Sequence, residues 1–369
     1  MEPGRKSAVA PSELTTPRQD PDTVAGSSTP SNRSILPKAL RSSLNRWGRS
    51  ISIWLVTALL FLVSWIFQPA SVGHSSLIGM LDFASVLAIA AIGQTLVVQQ
   101  RGIDLSVPGM ISLTVVMVST YPNGDSSKLG AALLLAYGAT MAAGLANGIL
   151  VSWVGMTPIV TTLGMNAILY GADIAFTGGV PRLTTNSLQN FAASTLLGIP
   201  TTIVIAAILT IVTFFLIKKT TFGRRFEAVG ANPAVVRAAG LETTRYQIGA
   251  YVAASFMYCS AGILLAGLIT SPSAFQGDTY LLATVAAVVL GGTSLLGGKG
   301  NVISSAIGAL FLSQLDQFVL TTGLNTAVEQ LIEAAVLAVG IAIYTVRWTA
   351  VRVWIQQQSR RYSSENRGG

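Results

Sequence analysis

The residues able to do chemistry are few, and most stand inside long apolar runs. Acids fall at Asp82, Asp173, Asp316, Glu329 and Glu333. Glu329 and Glu333 are four apart and share a helix face. Carboxylates at such depth are the raw material of a proton relay, but no intramembrane Lys or His stands beside them in sequence. Arg101-Gly102-Ile103-Asp104-Leu105-Ser106 lies at the edge of an apolar run. Asp104 and Ser106 are expected to cap the helix that follows, with Arg101 neutralising Asp104. Direct contact with a solute is the alternative. The amides Gln94, Asn147 and Asn166 also lie within apolar runs. An unpaired amide in lipid is costly, so each must face either the bundle or a wet path. Gly144 and Gly148 flank Asn147 in a G-x-x-x-G spacing that lets helices approach closely.

Other chemistries find no support. The stretch Gly291-Gly292-Thr293-Ser294-Leu295-Leu296-Gly297-Gly298-Lys299-Gly300 resembles a phosphate loop only superficially. Counted from Gly292, the lysine arrives one place late and Gly300 stands where a hydroxyl belongs. Gly291, Gly292, Gly297 and Gly298 are expected to serve tight turns and close packing. One histidine, His74, cannot build a multi-histidine metal site, and one cysteine, Cys259, cannot build an intrachain disulfide framework. No catalytic residue, metal site or cofactor is expected in this chain.

The elements that must position these residues are membrane helices. The chain has 369 residues, 51% hydrophobic and 10% charged, against about 25% charged in soluble domains. Spans of roughly 20 apolar residues are expected at about 51–68, 77–99, 103–120, 129–152, 158–177, 199–217, 246–270, 281–297, 301–320 and 326–346. The fold class is therefore an all-α integral membrane protein of about ten spans. The second and third spans, and the eighth and ninth, are so narrowly separated that either pair could contain a broken or re-entrant piece. With an even number of spans and both termini cytoplasmic, 21 of the 23 Lys and Arg residues fall on the inner side, leaving Lys128 and Arg182 outside. That bias accounts for the net charge of +8 without any nucleic-acid partner. Residues 1–45 are rich in Pro, Ser and Thr, too poor in apolar mass to order themselves, and are expected to be a disordered cytoplasmic tail. A membrane domain is expected over 46–350 and a basic cytoplasmic segment over 351–369.

The longest polar interruption is 218–245, with six basic residues, Lys218, Lys219, Arg224, Arg225, Arg237 and Arg245, against Glu227 and Glu242. A basic loop between spans is by default a solvated connector. This one also carries helix punctuation. Asn232 is placed as a cap, Pro233 at the first helical position, and Gly240 as the stop, with Gly230 as a flexible entry. A capped helix on an inner loop suggests a surface that touches another protein.

Four blocks then stand in order. They are GIDLSVPG (102–109), GLANGILV with TPIVTTLGM (144–165), TTFGRRFEAVGANPAVVRAAGL (220–241), and AAVVLGGTSLLGGKGNVISSAIGAL (286–310). Together they resemble the permease subunits of ribose-type ABC sugar importers, over most of 51–346. The resemblance implies a second permease copy or close relative, a separate cytoplasmic ATPase subunit holding ATP and Mg, and an extracytoplasmic solute-binding protein. It implies a bacterial inner-membrane location. It also makes 220–241 the loop that couples to the ATPase, with Gly223, Arg224, Glu227, Gly230, Asn232, Pro233, Arg237 and Gly240 as its marked positions. The departures are Pro108 in place of Gly, and Thr279 to Val285, which lacks two acids common at that place in the family. The resulting reading is a monosaccharide permease working by alternating access, with Gln94, Asn147 and Asn166 along its path. A nucleoside or other small polar solute on the same architecture is one alternative. A secondary transporter driven by an ion gradient is another, and a non-transporting scaffold would leave the intramembrane polar residues without a purpose.

Overall fold

The structure is a computed structural model that describes residues 38–180 and 182–323, with positions 327, 328, 331, 332, 334, 335 and 338. The Pro-rich segment before 38, the acid pair Glu329 and Glu333, and the basic segment 351–369 lie outside the described residues, as does most of the expected span 326–346. The chain divides into two units, 1–43 and 44–369. The first contributes only the opening of one helix, and the second holds the rest of the described fold.

Twelve α-helices carry the described fold: α1 (Lys38–Phe67), α2 (His74–Gln99), α3 (Val107–Thr120), α4 (Leu129–Ser152), α5 (Pro158–Thr177), α6 (Asn186–Ala192), α7 (Thr201–Lys219), α8 (Thr221–Ala231), α9 (Pro233–Ala238), α10 (Thr243–Leu268), α11 (Tyr280–Leu290) and α12 (Val302–Thr321). Proline at or beside the first position starts α3, α5 and α9, where the missing N–H is no loss. Asn301 starts α12 by accepting from the Ile303 N–H at 3.1 Å. The only strands among the described residues are β1 (Thr195–Leu196) and β2 (Ile199–Pro200), a two-residue hairpin between α6 and α7. Its Leu197-Gly198 turn has both residues at positive φ.

Among the described residues, six helices are long and apolar enough to cross a membrane: α2, α4 with the turn before it, α5, α7, α10 and α12. They sort into two groups by burial. Long stretches of α2, α10 and α12 are enclosed by protein, while α4, α5 and α7 expose broad apolar faces. In lipid no hydrophobic gain separates helix–helix from helix–lipid contact, so close packing must hold the bundle together. The glycines supply it. On α4, a Cβ on Gly144 would overlap the Ser255 side chain of α10, and one on Gly148 would come to 2.9 Å from the Ile248 Cα. Two turns further along α10, a Cβ on Gly262 would lie 2.7 Å from the Thr114 Cβ of α3. At the end of α11, a Cβ on Gly291 would meet the Ser305 backbone of α12 at 2.7 Å.

Two expected spans are shorter than the apolar runs that suggested them. The run 103–120 becomes helical only at Val107, because in 103–106 the Leu105 N–H is taken by Thr162 of α5 and the Ser106 N–H by the Asp104 side chain. The run 281–297 ends as helix at Leu290, because Gly292, Gly297 and Gly298 all take positive φ. With fourteen and eleven residues, α3 and α11 cover about 21 and 16 Å. A hydrocarbon core is about 30 Å thick. Each is a partial helix continued by irregular chain.

Candidate functional site

Two polar assemblies stand out, one at the basic end of the bundle and one within it. The first is built on α8. Thr220 caps α8, its hydroxyl accepting from Gly223 N–H at 3.1 Å. Gly223, Phe226, Val229 and Gly230 are buried, while Arg224 and Arg225 are exposed, so the helix lies with one face on the bundle. Glu227 is tied back by Lys218 at 2.5 Å. At Asn232 the chain turns into α9, and the Asn232 Oδ1 accepts from the N–H groups of Ala234 (3.2 Å) and Val235 (3.3 Å). The exit is a Schellman turn. Gly240 at φ +81 donates to the Arg237 carbonyl (2.9 Å), and Leu241 N–H to the Val236 carbonyl (3.2 Å). Only Val236 of α9 is buried, leaving Ala234, Val235, Arg237 and Ala238 exposed. Arg237 makes no ion pair among the described residues.

Gly230 is not a flexible entry. It is buried in the last turn of α8, where a Cβ would overlap the Gln99 carbonyl of α2. Three consecutive residues at the end of α2 are bonded here, Gln99 to the glycine-rich loop and Gln100 and Arg101 to α8. The Gln99 carbonyl accepts from Gly298 N–H at 2.8 Å. Gln100 Nε2 donates to the Phe226 carbonyl at 2.8 Å. Arg101 donates through Nε to the Gly230 carbonyl (2.8 Å) and through Nη2 to the Ala231 carbonyl. A cation on the last carbonyls of a helix satisfies acceptors that have no partner inside it and complements its dipole. Arg101 reaches them with φ +68, a left-handed backbone uncommon outside glycine. The glycine-rich loop closes the knot. Cβ atoms on Gly297 and Gly298 would collide with Arg101 Cγ and with the Ala231 backbone respectively. The same loop leaves Leu296 80% exposed beside this surface.

The second assembly surrounds the irregular segment 103–106. Gln94 of α2 is fully buried against it. Its carboxamide is oriented to accept from Asp104 N–H (3.2 Å) and to donate to the Asp104 carbonyl (3.2 Å) and to Tyr258 Oη (2.9 Å). Asp104 Oδ1 accepts from the Ser106 N–H (2.9 Å) and the Ser106 Oγ (2.5 Å). Asn147 Nδ2 donates to Ser106 Oγ at 3.0 Å. From α5, Thr162 Oγ1 accepts from Leu105 N–H at 2.9 Å. The free N–H of Gly109, in the first turn of α3, is taken by Asn166 Oδ1 at 2.8 Å.

This corrects the capping expected of Asp104 and Ser106. Ser106 occupies the cap position but its side chain bonds no N–H of α3, and Asn166 caps that helix from another element. Nor does Arg101 neutralise Asp104, because its guanidinium is committed to α8. Gln94 and Asn147 are both fully buried; Gln94 spends its whole amide on its neighbours, Asn147 spends only its Nδ2 and leaves its Oδ1 without a partner, and Asn166 is half-buried beside them. The remaining described acids stand apart from this cluster. Asp82 accepts from Thr202 Oγ1 at 2.5 Å, and Asp173 is buried within α5. Asp316 lines a cleft of about 450 Å³ with Ser75, Met80, Tyr280, Ser313 and Gln317. No group of three or more His, Cys, Asp or Glu side chains among the described residues could hold a metal.

Sequence reasoning passed over Gln99, Gln100, Thr162, Tyr258 and Leu296. The available signal was the polar pair Gln99-Gln100 at the end of an otherwise apolar run.

Broken helices within a multi-pass bundle, and a capped basic platform fastened to one end of it, define a membrane permease subunit. Residues 76–341 match the family described as branched-chain amino acid transport system / permease component, and the chain belongs to that family. Among curated proteins it is similar to the ribose import permease protein RbsC of Escherichia coli K12, at 32% identity over 78% of this chain and 91% of that protein. It is similar to the galactofuranose transporter permease protein YtfT of the same strain, at 32% identity over 74% of this chain and 81% of that protein. It also resembles the autoinducer 2 import system permease protein LsrC of Escherichia coli DH10B, at 33% identity over 73% of this chain and 79% of that protein. No solved structure matches.

Proposed function

We propose that this chain is one membrane-spanning half of an ATP-driven importer that carries a monosaccharide by alternating access. In this reading it has about ten spans with both termini cytoplasmic and lies in a bacterial cytoplasmic membrane. A second permease copy or close relative completes the path. A cytoplasmic ATPase subunit, which alone holds ATP and Mg, drives the cycle, and a binding protein outside delivers the solute. Relatives named for ribose and galactofuranose support a sugar over a nucleoside.

The observation that carries the reading is the platform of α8 and α9. A solvated connector has no need of a side-chain cap, a Schellman exit and three staples to α2. A surface that must transmit force needs all three. The exposed Ala234, Val235, Ala238 and Arg237 form a small-residue, apolar and cationic face for a groove on the ATPase.

The test is co-purification and uptake with Ala238→Trp, which overfills that groove, and Gly240→Val, which forces a β-branched residue to positive φ. Both changes lie off the bundle, so membrane levels should match the parent. Loss of ATPase association or of its stimulated hydrolysis, together with loss of uptake, is the expected result. Parent-like association, hydrolysis and transport in both variants would reduce the platform to a connector. Uptake that survives without any ATPase and collapses with the proton gradient would turn the reading toward a secondary transporter.

A further inference from the structure

Between α10 and α11 the chain runs irregularly through residues 269–279, starting where the Thr270 carbonyl accepts from Thr184 N–H at the far end of α10 and reaching mid-membrane depth at Phe275 to Asp278. Its depth follows from α11, whose far end joins the glycine-rich loop at the basic end of the bundle. Eleven residues rise only about 16 Å from there, roughly half of a 30 Å hydrocarbon core. Its contacts agree. Gly277 N–H donates to Ser112 Oγ of α3 at 2.9 Å, and Gly277 sits against the Pro108 carbonyl, so closely that a Cβ would overlap it. Tyr170, past the midpoint of the twenty-residue α5, donates to Asp278 and packs edge-on to Phe275, ring centroids 5.3 Å apart.

The segment has two faces. Pro272, Ala274 and Gly277 are buried against the bundle, whereas Ser273, Phe275 and Asp278 are exposed and Gln276 is half-buried. Irregular backbone at this depth is tolerated only against protein or beside water, never against lipid. A carboxylate there marks a wet path. An exposed aromatic ring braced by a second ring, with a carboxylate and an amide at its edge, offers a flat apolar face and hydroxyl acceptors together. That is the recognition chemistry of a neutral polyol, whose C–H face and hydroxyls call for both.

We propose that Tyr170, Phe275, Gln276 and Asp278 form the mid-membrane contact site for a neutral polyhydroxylated solute. The proposal rests on the importer reading and deepens it. It moves the solute contacts away from Gln94 and Asn147, both fully enclosed by protein, and onto the broken segment between α10 and α11.

The test uses the full chain in a Cys259→Ala background, with single changes Phe275→Cys, Asp278→Cys and, as a lipid-facing control on α1, Leu59→Cys. A charged methanethiosulfonate reagent should modify the first two at least tenfold faster than the third. Equal, slow reaction at all three positions would overturn the wet path. The complete complex is then reconstituted, and D-ribose and uridine uptake are measured for Phe275→Leu, Asp278→Asn and Tyr170→Phe. A site that contacts the solute should lose about tenfold in apparent affinity per deleted contact, with the ATPase still bound. Unchanged uptake constants in all three variants would overturn the site. Failure of the ATPase to bind the parent chain counts against the importer reading alone, because thiol labelling needs no partner.

Discussion

At Gly230 the difference between glycine and alanine is one methyl group laid on the Gln99 carbonyl. The backbones of α8 and α2 must separate to admit it, and overpacking of this kind destabilises by about 1–3 kcal/mol. Gly249 of α10 is the control. Nothing lies within 4 Å of a Cβ built there, so Gly249→Ala should be neutral or gain about 0.5–1 kcal/mol from helix propensity. Thermal unfolding in detergent micelles should rank Gly230→Ala below the parent and Gly249→Ala at or above it. Asn166 invites a similar comparison. Asn166→Leu keeps the bulk but orphans the Gly109 N–H, at a cost of about 1–3 kcal/mol. Asn166→Asp keeps the acceptor and should recover most of the loss. Equal stability of the two variants would mean that the bond contributes nothing to the start of α3.

Among the elements, α9 was the most legible in sequence because its signals are local. Asn232, Pro233 and Gly240 act within one turn of where they stand, and each does in the structure what its type suggests. The irregular segment 103–106 was illegible for the opposite reason. Its partners Gln94, Asn147 and Thr162 come from three other helices, and nothing near Asp104 in sequence announces them. Capping was assigned to Asp104 and Ser106 because nearest neighbours are all that a sequence offers. The broken helices were half legible. Narrow separations raised the possibility, but hydropathy cannot distinguish α11 from the apolar turn after it. Arg101 joins the two assemblies, fastening α8 two residues before the irregular segment begins. Arg101→Gln removes a charged, two-armed donor and leaves a left-handed backbone without its restraint. The expected phenotype is uncoupling, with a complex that assembles and hydrolyses ATP while uptake per ATP falls at least fivefold. Arg101→Lys, which keeps charge but not the fork, should fall between. A parallel loss of assembly and uptake, with their ratio unchanged, would make Arg101 only a stabilising residue.

For the whole molecule, orientation is the property on which the site assignments jointly depend. On the proposed orientation, which follows the division of basic residues, 218–245 lies inside. Cysteines introduced singly at Ala231 and Ser187, both exposed, should separate under an impermeant thiol reagent added to intact cells carrying Cys259→Ala. Ser187→Cys should label and Ala231→Cys should not; the reverse would invert the permease and take the docking face with it. The knot at the basic end has one more consequence, for anyone who would exchange parts between relatives. The platform is continuous in sequence but not in construction. Its floor is Gln99 to Arg101 and its flank is Gly297 to Gly300. Transplanting 218–241 alone would set a foreign α8 onto native staples cut for another helix. A functional graft should require all three stretches together, so the heritable unit of partner choice is a mosaic of distant segments.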